Sequence, residues 1–297
     1  MEQQKMTDEQ LNRELKGNKA ASTVCKIIGK CLAVLAFICA VTGQIPLAVI
    51  LFIIAVVVGS VKDKKDTAMK RQIGDQLVKE ALEEVFEDVT YDPFGQTGTI
   101  FVEGSGVKIP LDYNCAEGND YVKAVYKGLN IAFCNIVLSQ EDNWYNEEMQ
   151  VWENKKREVF RGQWLVCDLG RELSAQVSLF PRTGFARLIG EETIKTGNEI
   201  FDKRFTVWSD DRDRVFHILT PHAIEYILSA AQISGGKLYM SFLKEGKVHI
   251  AVESDRDFFE IGGGSADPDR LREKIRSQIR WFTDMMDELR LTERIYR

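Results

Sequence analysis

The sequence predicts an α+β chain: an N-terminal transmembrane helical hairpin, then one soluble mixed α+β domain with an antiparallel sheet and a C-terminal helix. Three observations predict it. No residue between Cys31 and Val61 is charged. From Thr97 to Trp208 the apolar runs are short and broken by turn residues. After Thr220, two capped amphipathic helices flank a β-hairpin. Strands first, then helix, hairpin and helix, argue for α+β rather than alternating βαβ units.

The chain has 297 residues, 44% of them hydrophobic and 28% charged. Its mean hydropathy is −0.20, so any membrane segment is a small part of it. A net charge of −6 argues against a nucleic-acid footprint over the whole surface. Of six cysteines, Cys25, Cys31 and Cys39 lie in or beside the apolar segment. Cys115, Cys134 and Cys167 remain for the domain, without a C-x-x-C, and are expected as free thiols in a reducing compartment.

Residues 1–22 form a polar arm. The uncharged stretch would be about 46 Å long as a single helix, against a hydrocarbon core of about 30 Å. It is interrupted by Gly43-Gln44-Ile45-Pro46. Gly43 and Pro46 are a helix stop and a helix start, so the expectation is a hairpin over 23–61, as spans 23–41 and 45–61. Lys26 and Lys30 lie in the first span, near enough to its end to stretch to the interface. Lys62, Lys64 and Lys65 follow the second, and the turn has no charge. The positive-inside rule then places the N-terminus and the domain in the cytoplasm, whether the hairpin crosses fully or is re-entrant. A long polar leader and a second apolar stretch argue against a cleaved signal peptide.

Residues 62–90 read as a juxtamembrane amphipathic helix, with Met69, Ile73, Leu77, Ala81, Val85 and, one position on, Val78, Leu82 and Phe86 on one stripe. It is closed by the turn Tyr91-Asp92-Pro93-Phe94-Gly95. The α+β domain is expected over 91–265. Thr99–Val102 and Val107–Leu111 flank Gly104-Ser105-Gly106 as a hairpin, and Leu129–Leu138 is a strand. Asn143–Arg157 is a short helix or an exposed excursion. Phe160–Leu169, Ala175–Phe180 and Phe205–Trp208 are further strands. Thr220-Pro221 caps and starts a helix that ends at Gly235-Gly236. Lys237–Leu243 and Val248–Val252 form a hairpin. Gly262–Ser265 is a hinge, and 266–297 hold a last helix with Leu271, Ile275, Ile279, Phe282, Met286 and Leu289 as its stripe. Its basic residues, Arg270 to Arg280, alternate with acids and read as a mixed solvated face rather than a lipid-binding cluster.

Phe160-Arg161-Gly162, Thr206-Val207-Trp208-Ser209-Asp210-Asp211, Ile218-Leu219-Thr220-Pro221 and Asp257-Phe258-Phe259-Glu260 occur in that order. In these motifs the chain resembles a bacterial family catalogued as domain of unknown function 3137. The resemblance runs from about Thr23 to Arg290 and implies a two-span hairpin before one soluble domain. It implies no activity and no catalytic residues. It is thinnest over 1–21 and 143–157.

No cofactor and no metal set is expected. His222-Ala223-Ile224-Glu225-Tyr226 lacks the second histidine of an inverted zincin motif, and His217 and His249 are expected on strands. Neither glycine-rich loop has a phosphate-binding spacing. A carboxylate-based site could draw on Asp168, Asp210, Asp211, Glu225 or Glu260, but spacing alone selects no pair. The leading expectation is therefore a membrane-tethered cytoplasmic interaction or scaffolding module. It would contact the bilayer and either itself or other membrane proteins, through the apolar stripes of the 66–88 and 268–290 helices. The alternative is a membrane-anchored enzyme.

Overall fold

The computed structural model describes residues 76–94, 98–146, 151–182, 193–259, 268–293 and 295–296. The hairpin over 23–61, its flanking lysines and the Gly262–Ser265 hinge lie outside them. No helix among the described residues is long and apolar enough to cross a membrane. The chain divides into two compact units, of which Ala81–Phe259 with Ser277–Arg297 is the larger. Of the smaller, 76–80 and 268–276 are described, and both are helical.

The larger unit is built on one eight-stranded sheet in which every neighbouring pair is antiparallel. Its strands are β1 (Glu87–Asp92), β2 (Cys115–Tyr126), β3 (Leu129–Asn146), β4 (Val151–Asp168), β5 (Val177–Pro181), β6 (Phe205–Ser209), β7 (Lys237–Phe242) and β8 (Lys247–Glu253). The order across the sheet is β1-β2-β3-β4-β8-β7-β5-β6. The β7–β8 hairpin therefore sits between β4 and β5. The helices are α1 (76–83), α2 (Gly98–Val102), α3 (Glu199–Arg204), α4 (Val215–Ile218), α5 (Pro221–Ile233) and α6 (Pro268–Glu288).

Side-chain alternation gives the sheet two buried faces. On one, Cys134, Ile136, Leu138, Phe160, Trp164, Tyr239 and Ala251 pack with Phe101 and Val102 of α2. On the other, Phe133 stacks on Phe282 of α6 at 3.9 Å between ring centroids, and Phe86 lies 6.0 Å from Phe133. The α6 stripe from Ile279 to Leu289 is buried along with it. Thr220 caps α5, its Oγ1 accepting from Ala223 N at 3.2 Å, and Ala223, Ile224, Ile227, Ala230 and Ala231 are buried. Both arrangements match the helical periodicity and capping chemistry read in the sequence.

Three expectations are corrected. The helix ending in 62–90 stops at 83, and Glu87–Asp92 is a strand paired with β2. Phe86 still faces the core, so the burial pattern continued past the end of the helix. Residues 99–111 form no hairpin: Gly98–Val102 is helical, and the chain then crosses the sheet face. Ser178 Oγ donates to Gly106 O at 2.7 Å, and a Cβ on Gly106 would lie 2.6 Å from Ser241 Oγ. Contact with the sheet thus outweighs the local β preference of Thr99-Ile100-Phe101-Val102. Of Asn143–Arg157, residues 143–146 and 151–157 are not helical but lie in the paired ends of β3 and β4, an exposed excursion in strand form over 154–157.

β4 is the pivot of the sheet. It pairs with β3 from Asn130↔Asp168 to Asn146↔Val151, but with β8 only from Asp168↔Lys247 to Gly162↔Glu253. A Cβ on Gly162 would come within 1.8 Å of Val252 O. Replacing Gly162 with alanine is therefore expected to wedge β8 off β4. It should cost roughly 2–4 kcal/mol, lowering Tm by about 4–16 °C in a thermal melt of the folded chain.

Candidate functional site

β8 leaves β4 just after Gly162. Ser254 N donates to Arg161 O at 2.9 Å as the last bond of the ladder, and the two chains then diverge. A shallow cleft of about 240 Å³ opens in the fork, lined by Glu158, Val159, Phe160, Arg161, Glu253, Ser254 and Asp255. The β3–β4 register shifts between Leu138 and Ser139, so that Leu138 faces Phe160 while Ser139 faces Glu158. Val159 is the extra residue of that bulge, a device that re-aims side chains at the rim of a sheet.

The cleft wall is built by side chains that take the place of a ladder. Gln163 Nε2 donates to Arg256 O at 2.6 Å, and Ser254 Oγ donates to Gln163 Oε1 at 2.8 Å. Asn135 Nδ2 donates to Phe258 O at 2.8 Å, and Phe258 N donates back to Asn135 Oδ1 at 3.2 Å. Phe258 packs edge-on to Trp281 and Phe282 at 5.3 and 5.5 Å. Phe259 takes the left-handed conformation (φ 62°), fixed by its N–H donating to Gln278 Oε1 at 3.0 Å. Thus Phe160-Arg161-Gly162 and Phe258-Phe259 meet at one place. There Phe160, Phe258 and Phe259 are core, Gly162 is a close approach, and Arg161 reaches the surface.

Arg161 donates to Glu158 through Nε at 3.0 and 3.1 Å. The hydrogen bonds it donates to Glu158, with Asp257 and Asp255 nearby, hold its guanidinium pKa above the usual value. Tyr239 OH donates to Glu253 Oε2 at 2.8 Å, and Lys237 pairs with Glu253. Burial first, and that carboxylate second, push the phenol up.

Thr220 and Pro221 lie at the far end of α5, roughly 20 Å along its axis from the turn that meets Glu253 and Arg256. They are a helix start and do not join the cleft. The carboxylates are not gathered either. Asp168 accepts from Gly170 N at 2.9 Å, closing a turn. Burial would raise Asp210, but Lys244 at 2.6 Å and the Gln176 N–H hold it below the carboxylate range. Asp211 is lowered by the Arg214 and Asp213 N–H groups that it accepts. Glu225 is exposed, 3.8 Å from exposed His222. Glu260, Gly43, Pro46, Lys26, Lys30, Lys62, Lys64 and Lys65 lie outside the described residues.

His217 is on α4, not on the expected strand. His249 is on β8 as expected, buried, with Trp164 Nε1 donating to its Nδ1 at 3.3 Å. Burial, with Lys247 adding to it, pushes its pKa down to about 4. One group of candidate metal ligands occurs among the described residues. Atoms of Cys115, Glu117 and Glu141 lie within 4.8 Å of one another. The Lys156 ammonium sits against both carboxylates, at 2.8 and 3.1 Å, and already supplies the cation.

The feature that sequence reasoning missed is the continuation of β3 and β4 beyond the sheet. β2 follows β3 only to Ser139, where Asn114 adds its backbone N–H and pairs its side-chain amide with Glu141 N and O at 2.8 Å each. From there residues 140–146 and 151–157 pair only with each other among the described residues. They form a two-stranded ribbon about 23 Å long. Residues Asn154 to Glu158 are all exposed along it. The segment lacks the apolar alternation that signals a half-buried strand, because neither face is covered.

Two predictions follow from these contacts. Asn135→Asp removes the donor to Phe258 O and sets a second carboxylate beside Asp120. Amide exchange over 256–259 should speed up, with a loss of about 1–3 kcal/mol in a urea melt. His249 stays neutral in the folded chain while the unfolded chain binds a proton below pH 6.5. Stability is therefore unaffected by this group above pH 6.5 and falls by about 3 kcal/mol as the pH drops to 4. Denaturation at pH 7, 5.5 and 4.5 checks this, and His249→Gln should flatten that part of the slope.

Residues 158–291, a little under half of the chain, match the model of a family described as "Protein of unknown function (DUF3137)". No curated protein and no solved structure matches the chain. The matched segment starts at the base of the ribbon and contains the cleft and every motif on which the family resemblance rested.

Proposed function

We propose that the chain is a bacterial membrane-tethered module that binds protein partners through the β3–β4 ribbon, held at the inner membrane by the hairpin over 23–61 with both ends cytoplasmic. The anchoring half of this reading is supported by the uncharged run from Cys31 to Val61 and the lysines at its edges. The binding half is carried by one observation: two strands leave the sheet, and among the described residues no strand pairs with the outer edge of β4 beyond the β8 ladder. Exposed backbone N–H and C=O groups of that kind are a template for another chain.

The helical stripes that the sequence offered as contact surfaces are largely buried among the described residues, although Val85 is 43% exposed. Leu77, Val78, Ala81, Leu82, Ile275, Ile279, Phe282, Met286 and Leu289 are all 4% exposed or less. The contact role is assigned instead to the ribbon, which lies ahead of the family-matched segment. Tethering confines the ribbon near the bilayer, so modest edge contacts suffice for occupancy by a membrane-bound partner.

A photoactivatable residue placed at Lys155 of the full-length chain in native membranes tests this. Discrete higher-mass adducts are expected from position 155 and none from the exposed control position 225, all in the carbonate-washed membrane pellet. Recovery of the chain in the soluble fraction, or equal labelling from the two positions, contradicts the reading.

A further inference from the structure

Three cations lie together on the ribbon, between Glu153 and Glu158 of the same strand. Lys155, Lys156 and Arg157 are consecutive on β4, and Glu141 and Asp142 are on β3. The register sets Glu141 opposite Lys156, Asp142 opposite Lys155, and neutral Gln140 opposite Arg157. Glu117, which also pairs with Lys156, comes from the β2 side. These three acids therefore approach from the β3 side. A strand arriving at the outer edge of β4 meets three successive cations, at 155, 156 and 157, flanked by Glu153 and Glu158.

That edge has a defined track. The unpaired backbone begins where β8 departs at Ser254 and runs outward along 160–154, and the cleft between Glu158–Arg161 and Glu253–Asp255 closes its inner end. Lys155 and Arg157 are two apart and so project from one face, matching carboxylates two apart on an added strand. One pairing of a second copy of this chain at the same edge is disfavoured. In a two-fold antiparallel pairing centred on Arg157, the two guanidinium groups would face each other, and like charges directly opposite are destabilising.

We propose that the outer edge of β4, from Asn154 to Phe160, accepts an extended, carboxylate-bearing segment of a partner protein as an added strand. The inference rests on the ribbon being the contact element and names the chemistry of what it contacts. Main-chain hydrogen bonds supply the binding, and Lys155 with Arg157 select the charge.

The test uses the purified full chain and labelled, end-blocked nonapeptides followed by fluorescence anisotropy at low salt. The probes are an alternating Thr–Glu peptide, an alternating Thr–Lys peptide, and the Thr–Glu peptide N-methylated at alternate backbone positions. The Thr–Glu peptide should bind saturably and at least tenfold tighter than the Thr–Lys peptide, and N-methylation should abolish binding. The exposed double change Lys155→Glu with Arg157→Glu should reverse the preference. Absence of Thr–Glu binding overturns the proposal. So does equal binding of the N-methylated peptide, which would mean charge attraction without strand addition. Equal binding of the Thr–Lys peptide, or association of the chain with itself through this edge, also overturns it. If position 155 still gives discrete adducts in membranes while the acidic peptide fails, the ribbon remains the contact element and the assigned chemistry is wrong.

Discussion

A β-strand must satisfy its backbone groups on both edges, and β4 does so unequally. Along Gly162–Asp168 it has β3 on one side and β8 on the other, and its side chains form the middle of both cores. Beyond Gly162 it keeps β3 and loses β8. The cleft, the bulge at Val159 and the projecting ribbon all arise from this mismatch between an 18-residue strand and a seven-residue neighbour.

What holds the fork in place is side-chain chemistry substituting for a missing strand. Gln163 and Asn135 present amides to the backbone of 256–258, much as another strand would. Phe258 and Phe259 then anchor that segment among Phe133, Trp281 and Phe282. The four phenylalanine rings are nearly fully buried, and aromatic pairs in edge-to-face or stacked geometry add to the stabilisation from burial. The energy is concentrated at the base of the fork, while the ribbon carries almost no burial of its own over the exposed stretch Asn154–Glu158. A rigid base with a solvated extension lets the ribbon be positioned without being covered.

The sequence was most legible where local chemistry decides the structure. Thr220 with Pro221, the Gly246 turn and the α6 stripe each announced their element, because a cap, a turn residue or a 3.6-residue period leaves a direct trace. It was least legible where tertiary contact overrode local preference, as at Gly98–Val102. It was also hard to read where a strand has two wet faces, as at Asn154–Glu158. The candidate site was half visible. Phe160-Arg161-Gly162 and Phe258-Phe259 stood out as motifs, but their meeting depends on the β4–β8 register and on Asn135, which no spacing rule connects. Asp168, Asp210 and Asp211, singled out for acid–base chemistry, proved to be turn caps and ion-pair partners, a distinction that only geometry draws.

Residue-resolved amide hydrogen exchange on the full chain tests the unequal satisfaction of β4 most directly. Between Gly162 and Asp168, amides directed to either neighbour should be protected. Between Asn154 and Phe160, protection should alternate, with the amides directed at β3 slow and every second one, on the outer edge, exchanging at nearly the rate of free peptide. Uniform protection across 154–160 would mean that the outer edge is already covered, and the account built on it would fail.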